Sequence, residues 1–308
     1  MLDDFQALQD ADSSGLLAKL AALPGVYDGP DGKRSQPYGL VGYGEAASLA
    51  HVFSAWIDAP LVASGTQFIF AGGFDFGDAA PLKLSAELSG AEVVLLGHSV
   101  HEPDLNVPPS PFSFYHYASY LAHATGHSEE LSQVNSSMKD FLIASRPDVA
   151  TEQNPAKTLA WKLWNRVPIL LAGKRQTGLA DLIQRVFGRV GKSLAITVGD
   201  HPLETLTGAF EGRHSLADDL VLLELGEADK ERELAREVLS SRVAQVETLS
   251  VPDELSAPGR SLALWYMAMW TAAYLAILHK LDPADSPVYE ATRQASLEPS
   301  DFHREAVN

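Results

Sequence analysis

The sequence predicts an α/β protein built as two similar halves, each a parallel sheet flanked by helices. Three observations lead there. Short apolar runs of about five residues alternate with segments of helical pattern about ten or more long, the spacing that parallel strands and their crossovers require. The alternation occurs twice, on either side of a polar, largely helical stretch, 128–155, with Pro147 and Pro155 as breakers. A chain of 308 residues, 46% apolar and 20% charged, also has material for two cores of ordinary size. The boundary is placed in that stretch, giving a first domain at 1–140 and a second at 141–308.

In the first half, Tyr38–Val41 reads as a strand opening into a glycine turn, followed by a helix over Glu45–Ile57. Leu61–Ala63 and Gln67–Ala71 are the next candidate strands, then a helix around Asp78–Leu88 and a strand at Glu92–Leu96. A helix beginning near Pro111 carries Phe112, Phe114, Tyr115, Tyr117 and Tyr120. In the second half, Arg166–Ala172 predicts a strand, Gly178–Arg189 a helix, Leu194–Val198 a strand, and Pro202 the start of a short helix. Asp219–Leu225 is a strongly apolar strand, Ala228–Ser241 a charged, solvated helix, and Val243–Leu249 the last strand. The stretch Ser261–Leu281 approaches the roughly 20 apolar residues of a membrane span. It is rich in Ala and aromatics and ends in His279-Lys280, so a helix buried in the core or at an interface is the expectation.

Composition narrows the function. With 23 Lys and Arg against 40 Asp and Glu, the formal net charge is −17, which excludes a uniformly basic face for nucleic acid. An anionic ligand would need locally focused donors, such as helix N-termini or a few Arg and Lys. The absence of cysteine removes disulfides, thiolate metal sites and cysteine nucleophiles, and suits a reducing compartment. The N-terminal MLDDFQALQDADSSG lacks the basic, then apolar, pattern of a signal peptide, so a soluble cytoplasmic protein is expected.

Four constellations are candidates for chemistry. Gly42-Tyr43-Gly44-Glu45-Ala46-Ala47 follows a strand and precedes a helix, the loose G-x-G-x-x-A pattern. It fits a monophosphate-lining loop or a tight strand-to-helix turn. A dinucleotide site would also want an acid at the second strand's end, where Leu61–Ala63 leads instead into Ser64-Gly65-Thr66. The second loop, Ala71–Asp78, places Gly72 and Gly73 at a strand's carboxyl end, with Asp75 and Asp78 where phosphate would want hydroxyls. It reads as a shaped turn, Asp78 capping the next helix, or as a ligand-lining loop. Third, Lys174 and Arg175 follow a strand, while Arg185, Arg189 and Lys192 are spaced i, i+4 and i+7; a solvated basic face and an anion site both fit. Fourth, Glu204 with His201, and His214 shortly after, supply a carboxylate base and a histidine, the pair that aldose–ketose isomerisation uses for proton transfer and ring opening. His98, His101, His116, His123 and His127 show no zinc-ligand spacing.

The layout resembles the tandem sugar isomerase (SIS) family of bifunctional phosphoglucose/phosphomannose isomerases. The likeness rests on Ala272–Arg293 (AAYLAILHKLDPADSPVYEATR), on Asn154–Ala172 (NPAKTLAWKLWNRVPILLA), and on the glycine loop Gly39–Gly44. It implies two SIS-type domains, three-layered and Rossmann-like, a hexose phosphate as substrate, aldose–ketose isomerisation, no cofactor, and a homodimer. The apolar closing helix and the aromatic cluster Phe112–Tyr120 point to the same dimer.

The resemblance also marks departures. The family's first loop is of Gly-Gly-Ser type and its second Ser-x-Ser-Gly-x-Thr, while Gly42–Gly44 and Gly72–Gly77 bring no hydroxyl beyond that of Tyr43. Its glutamate stands in an Asn-Glu-Asn motif before a lysine; Gly188–Lys192 keeps only Lys192. Leu203–Thr207 lacks the histidine of the Asn-His-Asn-Glu motif, although Gly208–Glu211 keeps a likeness to the Gly-Trp-Glu segment after it. The late lysine falls at or beside Arg293, a like charge with different proton chemistry. The expected site is therefore Glu204, His214, His201 and Arg293 for chemistry, with Gly42, Gly44, Gly72, Gly73, Lys174 and Arg175 for the substrate. The alternative is an SIS module that binds a sugar phosphate or a protein without turnover.

Overall fold

The computed structural model describes all residues except 1, 31, 45, 73–78, 98–102, 108, 174–176, 200, 201, 204–207, 209–216, 227, 228, 252, 253 and 298–308, and the side chains of Thr177, Ala217, Arg293 and Ser296. Two short helices, α1 (Phe5–Ala11) and α2 (Leu16–Ala22), precede the first sheet. That sheet runs β1 (Tyr38–Gly44), α3 (Ala47–Val52), β2 (Thr66–Gly72), α4 (Ala79–Ser89), β3 (Glu92–Gly97) and β4 (Leu105–Asn106). Its strands are parallel and lie in sequence order. Helices α5 (Ser113–Thr125), α6 (Ser128–Ser145) and α7 (Pro155–Leu163) lead to the second sheet. This contains β5 (Val167–Ala172), α8 (Thr177–Arg189), β6 (Ile196–Thr197), β7 (Leu220–Leu225), α9 (Lys230–Ser240) and β8 (Gln245–Leu249), in the order β6-β5-β7-β8 and again parallel. Helices α10 (Ala257–Leu278) and α11 (Pro287–Leu297) close the chain.

Alternation along the strands builds the layers. Phe68 and Phe70 face one core, while Ile69 and Ala71 face a small outer core with Leu95 and Ala79 of α4. In the second sheet Leu170, Leu223 and Leu225 face inward, and Ile169, Leu171 and Leu222 pack on Ala235 and Leu239 of α9. The inner faces of both sheets share one continuous core, with α10 running through it. Among the described residues α10 is the only helix long and apolar enough to cross a membrane, and 94% of its apolar window is buried inside the protein. Its contacts with α2, α6, α7 and α8 make it a core helix. Burying Trp265, Trp270 and Tyr274 completely supplies apolar area that either half alone would lack.

Several sequence expectations need correction. Leu61–Ala63 is loop: the buried Gln67 side chain accepts from Val62 N–H and donates to Pro60 O, anchoring that backbone without a ladder. The second strand is therefore Thr66–Gly72, and the acid test for a dinucleotide site moves to 73–78, outside the described residues. The glycine turn is the last part of β1, and the helix after it is short, giving way to a 3-10 turn at Ser54–Trp56. Helix α8 ends at Arg189, so Lys192 lies beyond it, with a left-handed φ of 55°. Phe114, Tyr115, Tyr117 and Tyr120, like α10, are buried within the single chain, so the surfaces that suggested a dimer are used internally.

Candidate functional site

Parallel pairing sets Gly44 and Gly72 side by side at the carboxyl ends of β1 and β2. Both open into a cavity of about 1020 Å³ lying between the halves. The other walls are the N-terminal turn of α5, the inward face of α8, the middle of α10 and the segment 281–289. Close packing of α3 on α8 fixes this geometry: at Gly178 any Cβ would press on Ser48 O at 2.5 Å. Gly42 has a different purpose, since a Cβ there would run into the carbonyl oxygen of Ala46. It serves the tight turn, and α3, at six residues, offers no extended helix end to a phosphate.

The polar groups of the wall are largely turned back into the protein. Ser110 N–H donates to Ser113 Oγ (3.0 Å), which donates to Ser110 O (2.9 Å), closing the turn before α5. Tyr117 donates its hydroxyl to Ala71 O at 2.9 Å. Lys192 donates to the carbonyl oxygens of Arg189 and Asp285 and to Ser286 Oγ, which matches the three N–H groups of an ammonium. Burial pushes its pKa below the usual lysine range; Asp285 and Asp282 oppose the push and Arg189 adds to it. Lys192 thus pins the 285–286 segment to the end of α8.

Asp282 accepts from Ser13 Oγ (2.6 Å), Ser14 N (2.8 Å) and Ser14 Oγ (2.7 Å) on one oxygen and from Ala284 N (2.9 Å) on the other. Burial would raise its pKa, but these bonds outweigh burial and hold it below the usual carboxylate range. Arg185 and Arg189 lie one turn apart on α8. The Arg189 guanidinium stacks 4.1 Å over the Tyr289 ring and reaches Glu290 at 4.0 Å. Both arginines line the cavity, so the i, i+4 spacing read from the sequence does bring two cations to it.

The second sheet ends differently. Its order sends the chain from β5 to one side and from β7 to the other, so the crevice between their carboxyl ends is the switch point where open α/β sheets take ligands. Arg232, only 2% exposed, fills that position, donating to Leu171 O (3.2 Å) and Leu225 O (2.7 Å). Gly173 lets it in: a Cβ there would be 3.1 Å from the guanidinium carbon. Burial pushes the Arg232 pKa down, opposed by Asp229 and by the nearby Glu224.

Of the residues expected from sequence, Gly44 and Gly72 line the cavity and Gly42 sits beneath the turn. Glu204, His201, His214, Gly73, Lys174 and Arg175 lie outside the described residues; Arg293 is on α11, its side chain not described. Trp265, Met269, Tyr289 and the Ser110–Ser113 turn were not anticipated as lining. The Asp-Pro turn at Asp282-Pro283 was the available signal for the 281–289 wall. Among the described residues no group of His, Asp and Glu is gathered for a metal ion.

Comparison with known proteins agrees with this architecture. Residues 16–126 match the phosphoglucose isomerase N-terminal domain, and residues 152–295 the bacterial phospho-glucose isomerase C-terminal SIS domain. A glucose-6-phosphate isomerase-like protein from Thermus thermophilus is 34% identical, with a TM-score of 0.82 over 93% of this chain and 98% of that one. The chain belongs to the phosphoglucose isomerase family. Solved structures at lower identity share the fold alone with this phosphoglucose isomerase relative. They include glucosamine-6-phosphate deaminase from Thermotoga maritima (12% identity, TM-score 0.56, 92% and 96% of the two chains) and the C-terminal domain of glucosamine-fructose-6-phosphate aminotransferase from Francisella tularensis (11%, 0.52, 92% and 100%). No curated protein matches the chain.

Proposed function

We propose that this phosphoglucose isomerase family member binds a sugar phosphate in the inter-domain cavity and isomerises it poorly or not at all. The observation behind this reading is Asp282: the half-buried carboxylate on the cavity wall has both oxygens hydrogen-bonded by its own chain and a lowered pKa, which makes it a weak proton acceptor. Asp285, the other acidic residue among the described lining, is exposed.

The second reading is aldose–ketose isomerisation of a hexose phosphate, with Glu204 as base and His201 or His214 opening the ring. The strong likeness to the Thermus glucose-6-phosphate isomerase-like protein favours it. A coupled assay with glucose 6-phosphate, fructose 6-phosphate and mannose 6-phosphate, beside calorimetry with the same sugars, separates the two. Saturable binding without turnover supports the first reading. Efficient turnover that Glu204→Gln abolishes supports the second, and absence of both binding and turnover sinks the pair.

A further inference from the structure

Glycine in an α-helix costs backbone entropy and brings no side chain. Where a helix keeps one, tight packing, a left-handed φ or a closely approaching ligand is the usual cause. The glycines of α8 and of the turn after it separate these causes. Gly178 is required by packing on Ser48 O, and Gly191 likewise, since its Cβ would lie 2.8 Å from Phe187 O. Neither reason holds at Gly188. Its φ is not left-handed, and among the described residues a Cβ there would meet nothing within 4 Å. It is exposed, and the space beside it is the inter-domain cavity.

Arg185 stands one turn earlier on α8, also exposed and also on the lining. Residues three apart are neighbours on a helix surface, so Arg185 stands beside the bare backbone at Gly188. Arg189 adds a second cation, stacked at 4.1 Å on the Tyr289 ring. The C-terminal end of a helix ordinarily repels anions. Here Val190 and Gly191 N–H donate to Val186 O, Ser193 N–H to Phe187 O and Lys192 to Arg189 O, so much of that negative end is already covered. In a chain of net charge −17 the two arginines make a local positive field on the cavity wall.

We infer that α8 carries the phosphate subsite of this cavity. The ligand's phosphate is held by Arg185, with Arg189 beside it, and its sugar lies across the bare backbone at Gly188. The inference rests on the sugar-phosphate reading above and gives the ligand an orientation: phosphate toward α8 of the second half, not toward the glycine edge of β1 and β2. With no side chain at 188 the sugar ring comes up against the helix backbone itself, a use that only glycine permits.

Calorimetry on the full chain with glucose 6-phosphate, beside thermal unfolding, tests it through two variants. Gly188→Leu is expected to raise the melting temperature by about 2 °C, because leucine is the better helix former and nothing described obstructs it. The same variant should weaken glucose 6-phosphate about tenfold and keep the parent's salt dependence, since it changes shape and not charge. Arg185→Gln, at an exposed position, should also weaken the sugar phosphate about tenfold. It should in addition flatten the loss of affinity between about 50 and about 300 mM salt, a readout that a merely structural arginine would not move. A lower melting temperature in Gly188→Leu overturns the inference, because the fold itself would then need the glycine. Unchanged affinity in either variant overturns it as well, while binding by the parent protein leaves the sugar-phosphate reading standing. If the parent protein does not bind glucose 6-phosphate, inference and reading fall together.

Discussion

The two sheets of this molecule end in opposite ways. At the carboxyl edge of the first, two adjacent glycines, Gly44 and Gly72, face an open cavity. At the second, Gly173 admits Arg232, whose guanidinium ties the ends of β5 and β7 together from within. The same fold element, glycine at the end of a parallel strand, makes a binding wall in one half and a plugged crevice in the other. Duplicated architecture does not imply duplicated sites, and what occupies the strand ends decides which half can take a ligand.

Substitutions at the two edges can break this contrast. The largest effect is expected from Arg232→Ala, which leaves Leu171 O and Leu225 O without that donor and should destabilise by about 3 kcal/mol in urea unfolding. A loss under about 1 kcal/mol would mean the arginine is not the plug described here. Next is Gly42→Ala, where the added methyl meets Ala46 O; a loss of about 2 kcal/mol is expected, with the first sheet's edge displaced. Gly173→Ala should cost about 1 kcal/mol as Arg232 shifts. The matching Gly72→Ala should be close to neutral, because its Cβ would find nothing nearer than Tyr117 Oη at 3.6 Å. Equal costs at the two glycines would erase the distinction.

The smallest effect concerns pH. Burial pushes the pKa of His116 below the usual histidine range, partly offset by Asp28, and burial does the same for His279. In that window the unfolded chain binds more protons than the folded one, so stability falls as pH drops through about 6.5. A melting temperature that declines modestly from pH 7.5 to 5.5, with a flatter slope in His116→Asn, is the expected result. A flat profile in the parent protein would show that these rings stay hydrated.

Much of the fold was legible because it depends on short-range pattern. The apolar runs at Gln67–Ala71, Glu92–Leu96, Arg166–Ala172 and Asp219–Leu225 each became a strand, since a short apolar run between helical segments has few other ways to be buried. Leu61–Ala63 misled for a physical reason: its apolar side chains are partly or fully exposed, and the Gln67 side chain anchors its backbone, a bond that composition does not reveal. The strand β4 escaped notice because two residues carry no period. The site was less legible. Arg185 and Arg189 were visible as a helical pair, but their convergence with Trp265, Met269 and Tyr289 depends on how α8, α10 and the 281–289 segment meet. Lys192, which looked like a third cation on the same face, is instead a fastener.

Helix α10 has one more consequence. Tyr266, in its middle, donates its hydroxyl to Leu20 O across 246 residues of sequence, and Leu16, Leu17 and Leu20 of α2 lie in the shared core. During synthesis at roughly 5–20 residues per second, the N-terminal segment leaves the ribosome about 10–50 s before the helix that covers it. Until then Leu16, Leu17 and Leu20 lack the part of their cover that this helix supplies. The nascent first half therefore has a long interval in which a chaperone, or another nascent copy, can reach it.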